Sequence, residues 1–255
     1  MAKEQVSSIL RALQILECFM DSRTEWTLKA LVDQLGLPTT TVFRQVSTLA
    51  DQHYLEQDPI RKSYRPGPRL LLLSSAILGQ SDLRRTARPE LERLSNTLKE
   101  TINLSVLLEH DIFYLDKVET HRSIVCNTQV GSRAPAYATS GGKAMLAWQS
   151  EEQIDEYCRW MQDHARSLTV TTITDPEQLR KELAYAKLHG YAMDNGGIET
   201  GLICVAAPIC DMNHRAVGAV SVSGPDYRMQ EDQEMMIREV RQTAQNISRL
   251  LGFRG

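Results

Sequence analysis

The stretch from Trp26 to Arg65 constrains this chain more than any other, because two helical apolar stripes flank a glycine-marked turn and a basic hairpin follows them. In the first helix Leu28, Leu31, Val32 and Leu35 share one face, with Thr27 at the N-cap position and Gly36 as the stop. Leu37-Pro38 restarts the chain. In the second helix Val42, Val46 and Leu49 recur at i, i+4 and i+7. That spacing leaves Thr39, Thr40, Thr41, Arg44, Gln45 and Thr48 off the inner stripe, a set of groups that hydrogen-bond to phosphates and base edges. A helix so divided docks by one face and offers the other to a DNA major groove about 12 Å wide.

The hairpin adds to this expectation. Tyr54-Leu-Glu-Gln and Lys62-Ser-Tyr-Arg flank the turn pair Asp58-Pro59, which sets Arg61, Lys62 and Arg65 on a wing. Five Lys or Arg face three Asp or Glu between Thr39 and Arg69, whereas residues 1–66 carry eight of each, so the basic surplus is local. Phosphate neutralisation supplies most non-specific affinity, and a near-neutral domain therefore leans on dimerisation to hold double-stranded DNA. The competing reading is a plain three-helix bundle with a polar face.

A chain of 255 residues, 42% hydrophobic and 24% charged, has the material for about two folded domains. The apolar run Leu70 to Leu73 is far too short to span a bilayer, and Met1 to Gln5 begins no signal-peptide core, so no membrane role is expected. Five cysteines, at 18, 126, 158, 204 and 210, form no C-x-x-C unit, which points to a reducing cytoplasm rather than a disulfide scaffold or zinc ribbon. His121, His164 and His189 lack metal-ligand spacing, and no phosphate-binding or dinucleotide loop is present, so neither metal nor cofactor is expected.

Punctuation suggests three parts: a winged helix-turn-helix domain over 6–68, a linker helix over 69–82 and a sensor domain over 83–253. A first helix over residues 7–20 carries Ile9, Leu13, Leu16 and Met20 on the stripe expected to support the DNA-reading pair. Leu70 to Leu78 is apolar on more than one side, as a dimer interface would be. The next helix, Arg84 to Lys99, has the stripe Leu91, Leu94 and Leu98. Strands are expected at Ile102–Leu108, Ile112–Val118, Ser123–Val130, Ile203–Ile209 and Ala216–Ser223. Helices are expected near Lys143–Trp148, Glu151–Met161, Pro176–Leu188 and Glu231–Leu251. The class is α+β.

Three segments of the second domain suggest a pocket. Thr139, Ser140, Gly141 and Gly142 stand at a helix entrance, where N–H groups favour an anion. Asp194 to Cys204 reads as a Gly-rich loop running into a strand. On the strand from Ala216, alternation sends Ser221 and Ser223 to one face. An ionised Asp194 would repel a bare carboxylate, so a ligand that also carries a donor is favoured: a hydroxy, hydrated keto or sugar acid. Capping residues and strand serines are also common structural devices, and that bland reading stands beside the functional one.

On these residues the chain resembles the IclR family of bacterial transcription regulators over nearly its whole length. Leu35-Gly-Leu-Pro-Thr-Thr-Thr-Val-Phe-Arg resembles the family's recognition helix. Gly131 to Ala147, His189-Gly-Tyr-Ala-Met-Asp, Gly201-Leu-Ile-Cys-Val-Ala-Ala-Pro-Ile and Ser221-Val-Ser-Gly-Pro resemble its effector-domain signatures, with the pocket motifs most similar to AllR-type members. The resemblance implies an N-terminal winged helix-turn-helix domain, a linker helix and a GAF-like antiparallel-sheet effector-binding domain. It implies effector contacts at Thr139, Ser140, Gly141, Asp194, Cys204, Ser221 and Ser223, a homodimer or dimer of dimers, and repression of catabolic genes. The sequence departs from the family at Tyr137, where many members carry His, and at Asn195-Gly196-Gly197, which replaces an acidic pair. Two alternatives stay open: an activator, and an enzyme using Cys204 as nucleophile. The enzyme reading lacks a recognisable histidine partner for the thiol.

Overall fold

The computed structural model describes residues 6–20, 23–80, 82–120, 122 and 128–254, with the side chains of 75 and 77–80 set aside. The chain forms two compact units that divide between Gln80 and Ser81.

In the first unit α1 (Ser7–Glu17), α2 (Leu28–Leu35) and α3 (Thr39–Asp51) surround one small core. A three-stranded antiparallel sheet accompanies them, made of β1 (Trp26–Thr27), β2 (Leu55–Gln57) and β3 (Ser63–Pro66) in the order β1-β3-β2. Thr27 caps α2 as its spacing predicts, its hydroxyl accepting from the Ala30 N–H, and Gly36 ends the helix at φ +63°, a conformation glycine enters without a Cβ clash. Leu31, Val42, Val46, Leu55 and Tyr64 are buried together. The expected stripe of α1 faces the wrong way: Ile9, Leu13 and Met20 are exposed, while Ile15 and Phe19 are buried and Leu16 is partly so. Two apolar stripes share this helix, and periodicity alone could not say which one meets the core. A further helix, α4 (Pro68–Gln80), closes the unit and leaves Leu71, Leu72 and Leu73 exposed.

The second unit is built on a six-stranded sheet of order β6-β5-β4-β9-β8-β7, antiparallel throughout. Its strands are β4 (Thr101–Leu108), β5 (Asp111–Val118), β6 (Arg133–Pro135), β7 (Ala192–Asn195), β8 (Leu202–Cys210) and β9 (Ala216–Pro225). Helices α5 (Asp82–Leu98) and α10 (Gln233–Leu250) contact β4, β8 and β9, and short α9 (Asp226–Glu231) precedes α10. Helix α6 (Ser140–Leu146) contacts β7, β8 and β9, with α7 (Glu151–His164) and α8 (Pro176–His189) continuing that layer. Strand alternation separates the two cores, since Val220 and Val222 turn opposite to Ala219, Ser221 and Ser223.

Three sequence readings change. Of the strand expected over Ser123–Val130, residues 123–127 lie outside the described residues and 128–130 are not strand. Asp194 belongs to strand β7 rather than to a loop, which begins only at Gly196; Asp and Asn are poor strand formers, so the short edge strand left no signal. Helix α6 starts at Ser140, three residues before the expected Lys143, because Thr139 caps it there.

Candidate functional site

On the outer side of α3, Thr39, Thr40, Arg44 and Thr48 are exposed and Thr41 and Gln45 half-buried, while Val42 and Val46 are fully buried beneath them. At the wing Asp58 accepts from the N–H groups of Ile60 and Arg61, each at 2.8 Å, which turns the hairpin tightly and exposes Arg61 and Lys62. Arg65 is engaged differently. Its guanidinium grips Glu56 through two bonds of 3.0 and 2.9 Å, so less of its charge is offered to a partner than sequence suggests. Arg61 lies 3.8 Å from Glu25, a loose and exposed pair of little strength.

The second candidate site is a cavity of about 250 Å³ over the sheet of the second unit. It is lined by Thr139, Ser140, Gly141, Asp194, Cys204, Ser221 and Ser223, all seven residues chosen from the sequence, and by Ile112, Tyr114, Thr128, Ile198, Glu199 and Leu202. The register explains the convergence. Asp194 pairs with Cys204, Cys204 with Ser223, and Ser223 with Thr101, so four polar or sulfur side chains stand side by side across β7, β8, β9 and β4. Ser221, opposite Asn103 and Ala206, sits one row further along the same face.

Above this floor, helix α6 begins. The Thr139 hydroxyl accepts from Gly142 N–H at 3.1 Å, which consumes one of the donors expected to be open and leaves those of Ser140 and Gly141, positions with no intrahelical acceptor. A Cβ on Gly141 would stand 2.8 Å from Ser105 Oγ, so a side chain there would force that hydroxyl to turn away where the helix meets the sheet. The preceding turn is held by Tyr157, whose hydroxyl accepts from Tyr137 N–H and donates to the His110 carbonyl, both at 3.0 Å. Tyr137 does not line this cavity; its own hydroxyl donates to the Arg166 carbonyl.

Among the described residues no Lys or Arg lines the cavity, so an anion held there would depend on neutral donors. Asp194 is buried, with Oδ1 accepting from Gly197 N–H at 2.8 Å and Oδ2 without a partner among the described residues. A Cβ at residue 197 would fall 2.5 Å from that Oδ1, so glycine is required for the contact. Burial pushes the Asp194 carboxyl above the ordinary aspartate range, against the opposing pull of Gly197 N–H, the Lys143 ammonium and Ile198 N–H, while Glu182 adds to the rise. Lys143 is buried and paired with Glu182 at 3.1 Å. The hydroxyls of Thr101 and Ser105 are likewise buried without partners among the described residues. Such orphaned groups are costly in a closed protein, and of these three residues Asp194 alone lines the cavity, where a ligand donor could meet it.

A carboxyl with a higher pKa folded than unfolded destabilises the fold at pH values above it, where its charge is buried, and ceases to do so as pH falls through the raised value. Asp194→Asn is therefore expected to raise the melting temperature at pH 7, with the gain fading as pH drops through the Asp194 pKa. A gain independent of pH, or a loss, in melts across pH 4 to 7 contradicts this.

Sequence reasoning missed Asn103. Its amide is buried, lies 3.4 Å from Ser223 Oγ and accepts from the Thr128 hydroxyl at 2.8 Å, tying one cavity serine to a second lining residue. Ile112 and Tyr114 were missed too, although two-residue alternation on β5 puts them on one face. Among the described residues no His/Cys/Asp/Glu group could hold a metal, no histidine lines the cavity, and no helix is long and apolar enough to cross a membrane.

Comparison with known proteins agrees across both units. Residues 8–59 match the model described as the IclR helix-turn-helix domain, and residues 75–249 match that described as bacterial transcriptional regulator IclR C-terminal. The HTH-type transcriptional regulator XynR of Escherichia coli is 30% identical over 249 residues, covering 97% of this chain and 98% of the relative. The transcriptional repressor IclR of the same organism is 31% identical, covering 91% and 84% respectively. Among solved structures, an IclR homologue from Microbacterium hydrocarbonoxydans complexed with 4-hydroxybenzoate superposes with a TM-score of 0.80 at 28% identity, over 96% of this chain and 99% of that one.

Proposed function

Since the chain belongs to the IclR family of bacterial transcriptional regulators, and so is a DNA-binding regulator, we propose that it is a repressor of a catabolic operon whose grip on its operator is set by a small carboxylic acid. The parts are a DNA-binding domain over 6–68, a linker helix over 69–82 and an effector-binding domain over 83–253. The observation that carries the reading is the cavity, in which the seven residues singled out by sequence converge, among them Asp194 with a buried Oδ2 that lacks a partner among the described residues. Its ligand carboxylate meets the N–H groups of Ser140 and Gly141 and the hydroxyls of Ser221 and Ser223, while Asp194 accepts from a ligand hydroxyl.

Size narrows the ligand. At about 30 Å³ per water the cavity equals roughly eight waters, so a two-carbon acid such as glyoxylate would leave most of it unfilled. The walls formed by Ile112, Tyr114, Ile198 and Leu202 favour an acid with an apolar or ring-sized body. The 4-hydroxybenzoate bound to the Microbacterium relative has that character.

A thermal-shift panel of glycolate, glyoxylate, gluconate and 4-hydroxybenzoate on the full chain tests this. A true effector at about 100 times its dissociation constant adds roughly 2.7 kcal/mol, or about 5–10 °C for a chain of this size, and is recovered chemically unchanged. No shift beyond glyoxylate contradicts the size argument; consumption of the acid supports the enzyme reading built on Cys204.

The operator-bound form is a homodimer. Ile9, Leu10 and Leu13 form an exposed stripe on α1, with exposed Val6 just before the helix, and Leu71 to Leu73 are exposed on α4, more apolar surface than water favours. Two reading helices then address inverted half-sites about 34 Å apart. A footprint covering one half-site, left by a species that sediments as a monomer, contradicts this.

A further inference from the structure

Phe43 is half exposed, at 51%, on a helix whose inner face is already filled. The core of the first unit closes through Leu31, Val42, Val46 and Tyr64 without it. Its neighbours in chemistry are accounted for: Phe19, Trp26 and Tyr64 are buried, and Tyr54 lies under the Arg69 guanidinium at 5.6 Å. Among the described residues the Phe43 ring has no aromatic or cationic partner of this kind. On α3 it falls in the outer row Thr40, Phe43, Arg44 and Ser47, spaced i, i+3, i+4 and i+7, beside the polar residues that face away from the core.

The exposed half of the Phe43 ring adds nothing to the stability of the free unit, and in a row that faces DNA it would gain from an apolar partner. A major groove supplies one kind only. Of the groups on the four base pairs there, the thymine 5-methyl alone is apolar, and the others are donors and acceptors that a phenyl ring cannot satisfy. We propose that Phe43 packs on the methyl group of a thymine in each half-site and so selects thymine over cytosine next to the base read by Arg44. The proposal rests on the reading of α3 as the helix that enters the groove.

The test uses the full chain and a duplex selected by it from a random library, in which each thymidine is replaced in turn by deoxyuridine, removing one methyl at a time. One position per half-site is expected to weaken wild-type binding about fourfold, the burial value of one methyl-sized group. Phe43→Ala binds the parent duplex more weakly and no longer distinguishes thymine from uracil at that position. Equal wild-type affinity for every uracil duplex overturns the proposal, as does a Phe43→Ala variant that keeps the full methyl effect. Arg44→Ala separates the two levels: if it loses sequence preference while no methyl matters, Phe43 alone is misassigned. If neither change has an effect, α3 is not the reading helix.

Discussion

With Ser221 and Ser223 both replaced by alanine, the dissociation constant of the acid effector rises at least tenfold while operator affinity in its absence is unchanged. The size of the effect follows from geometry and charge. Both hydroxyls stand on central strand β9, flanked by β4 and β8, and line the cavity where no Lys or Arg does among the described residues. A carboxylate there depends on neutral donors, and each hydrogen bond to a charged group contributes roughly 1.5–3 kcal/mol. Even partial compensation by Ser140 and Gly141 N–H leaves more than the 1.4 kcal/mol that makes a factor of ten. Ser223→Ala also leaves the Asn103 amide short of a neighbour, so the variant's melting temperature is measured alongside its calorimetric titration. A folded double variant that binds the acid as tightly as wild type moves the pocket elsewhere, and the assignment of Thr139 to Gly142 as an anion cradle goes with it.

Arg44→Ala is expected to cost about 1–3 kcal/mol of specific operator binding, roughly five- to 150-fold, if its guanidinium holds a base edge through two bonds. The fold should survive, because Arg44 is exposed and its guanidinium has no partner among the described residues. Arg61→Ala and Lys62→Ala on the wing act differently, weakening every sequence alike and each lowering the salt dependence by about one counterion. Arg65→Ala has the smaller effect of the wing residues, since Glu56 already neutralises it. Gel-shift titrations on the selected operator and on unrelated DNA, at two salt concentrations, separate these cases. An Arg44→Ala variant with unaltered preference for the operator contradicts the assignment.

Local rules carried the sequence reading where each signal had a single structural solution. Thr27 and Gly36 bound α2 because a cap hydroxyl and a left-handed glycine are required by the helix itself. Ser221 and Ser223 were legible because strand period is two and their strand is long. The stripe of α1 failed because two apolar faces compete on one helix, and the choice is made by α3, not by local sequence. Strand β7 failed because its residues, Asp194 and Asn195 included, carry no strand preference and owe their pairing to β8. Asn103 was invisible for a related reason: its meaning comes from Ser223, 120 residues away, and only the register of β4 on β9 brings them together.

Occupancy of the cavity is expected to control the hold on DNA. Fluorescence anisotropy of a labelled selected operator, titrated with the full chain with and without the acid found by thermal shift, reads it directly. Saturating acid is expected to change wild-type operator affinity by roughly five- to 150-fold, a coupling of about 1–3 kcal/mol. At the same acid concentration Ser221→Ala/Ser223→Ala should show little change. Identical wild-type affinity with and without bound acid would contradict it.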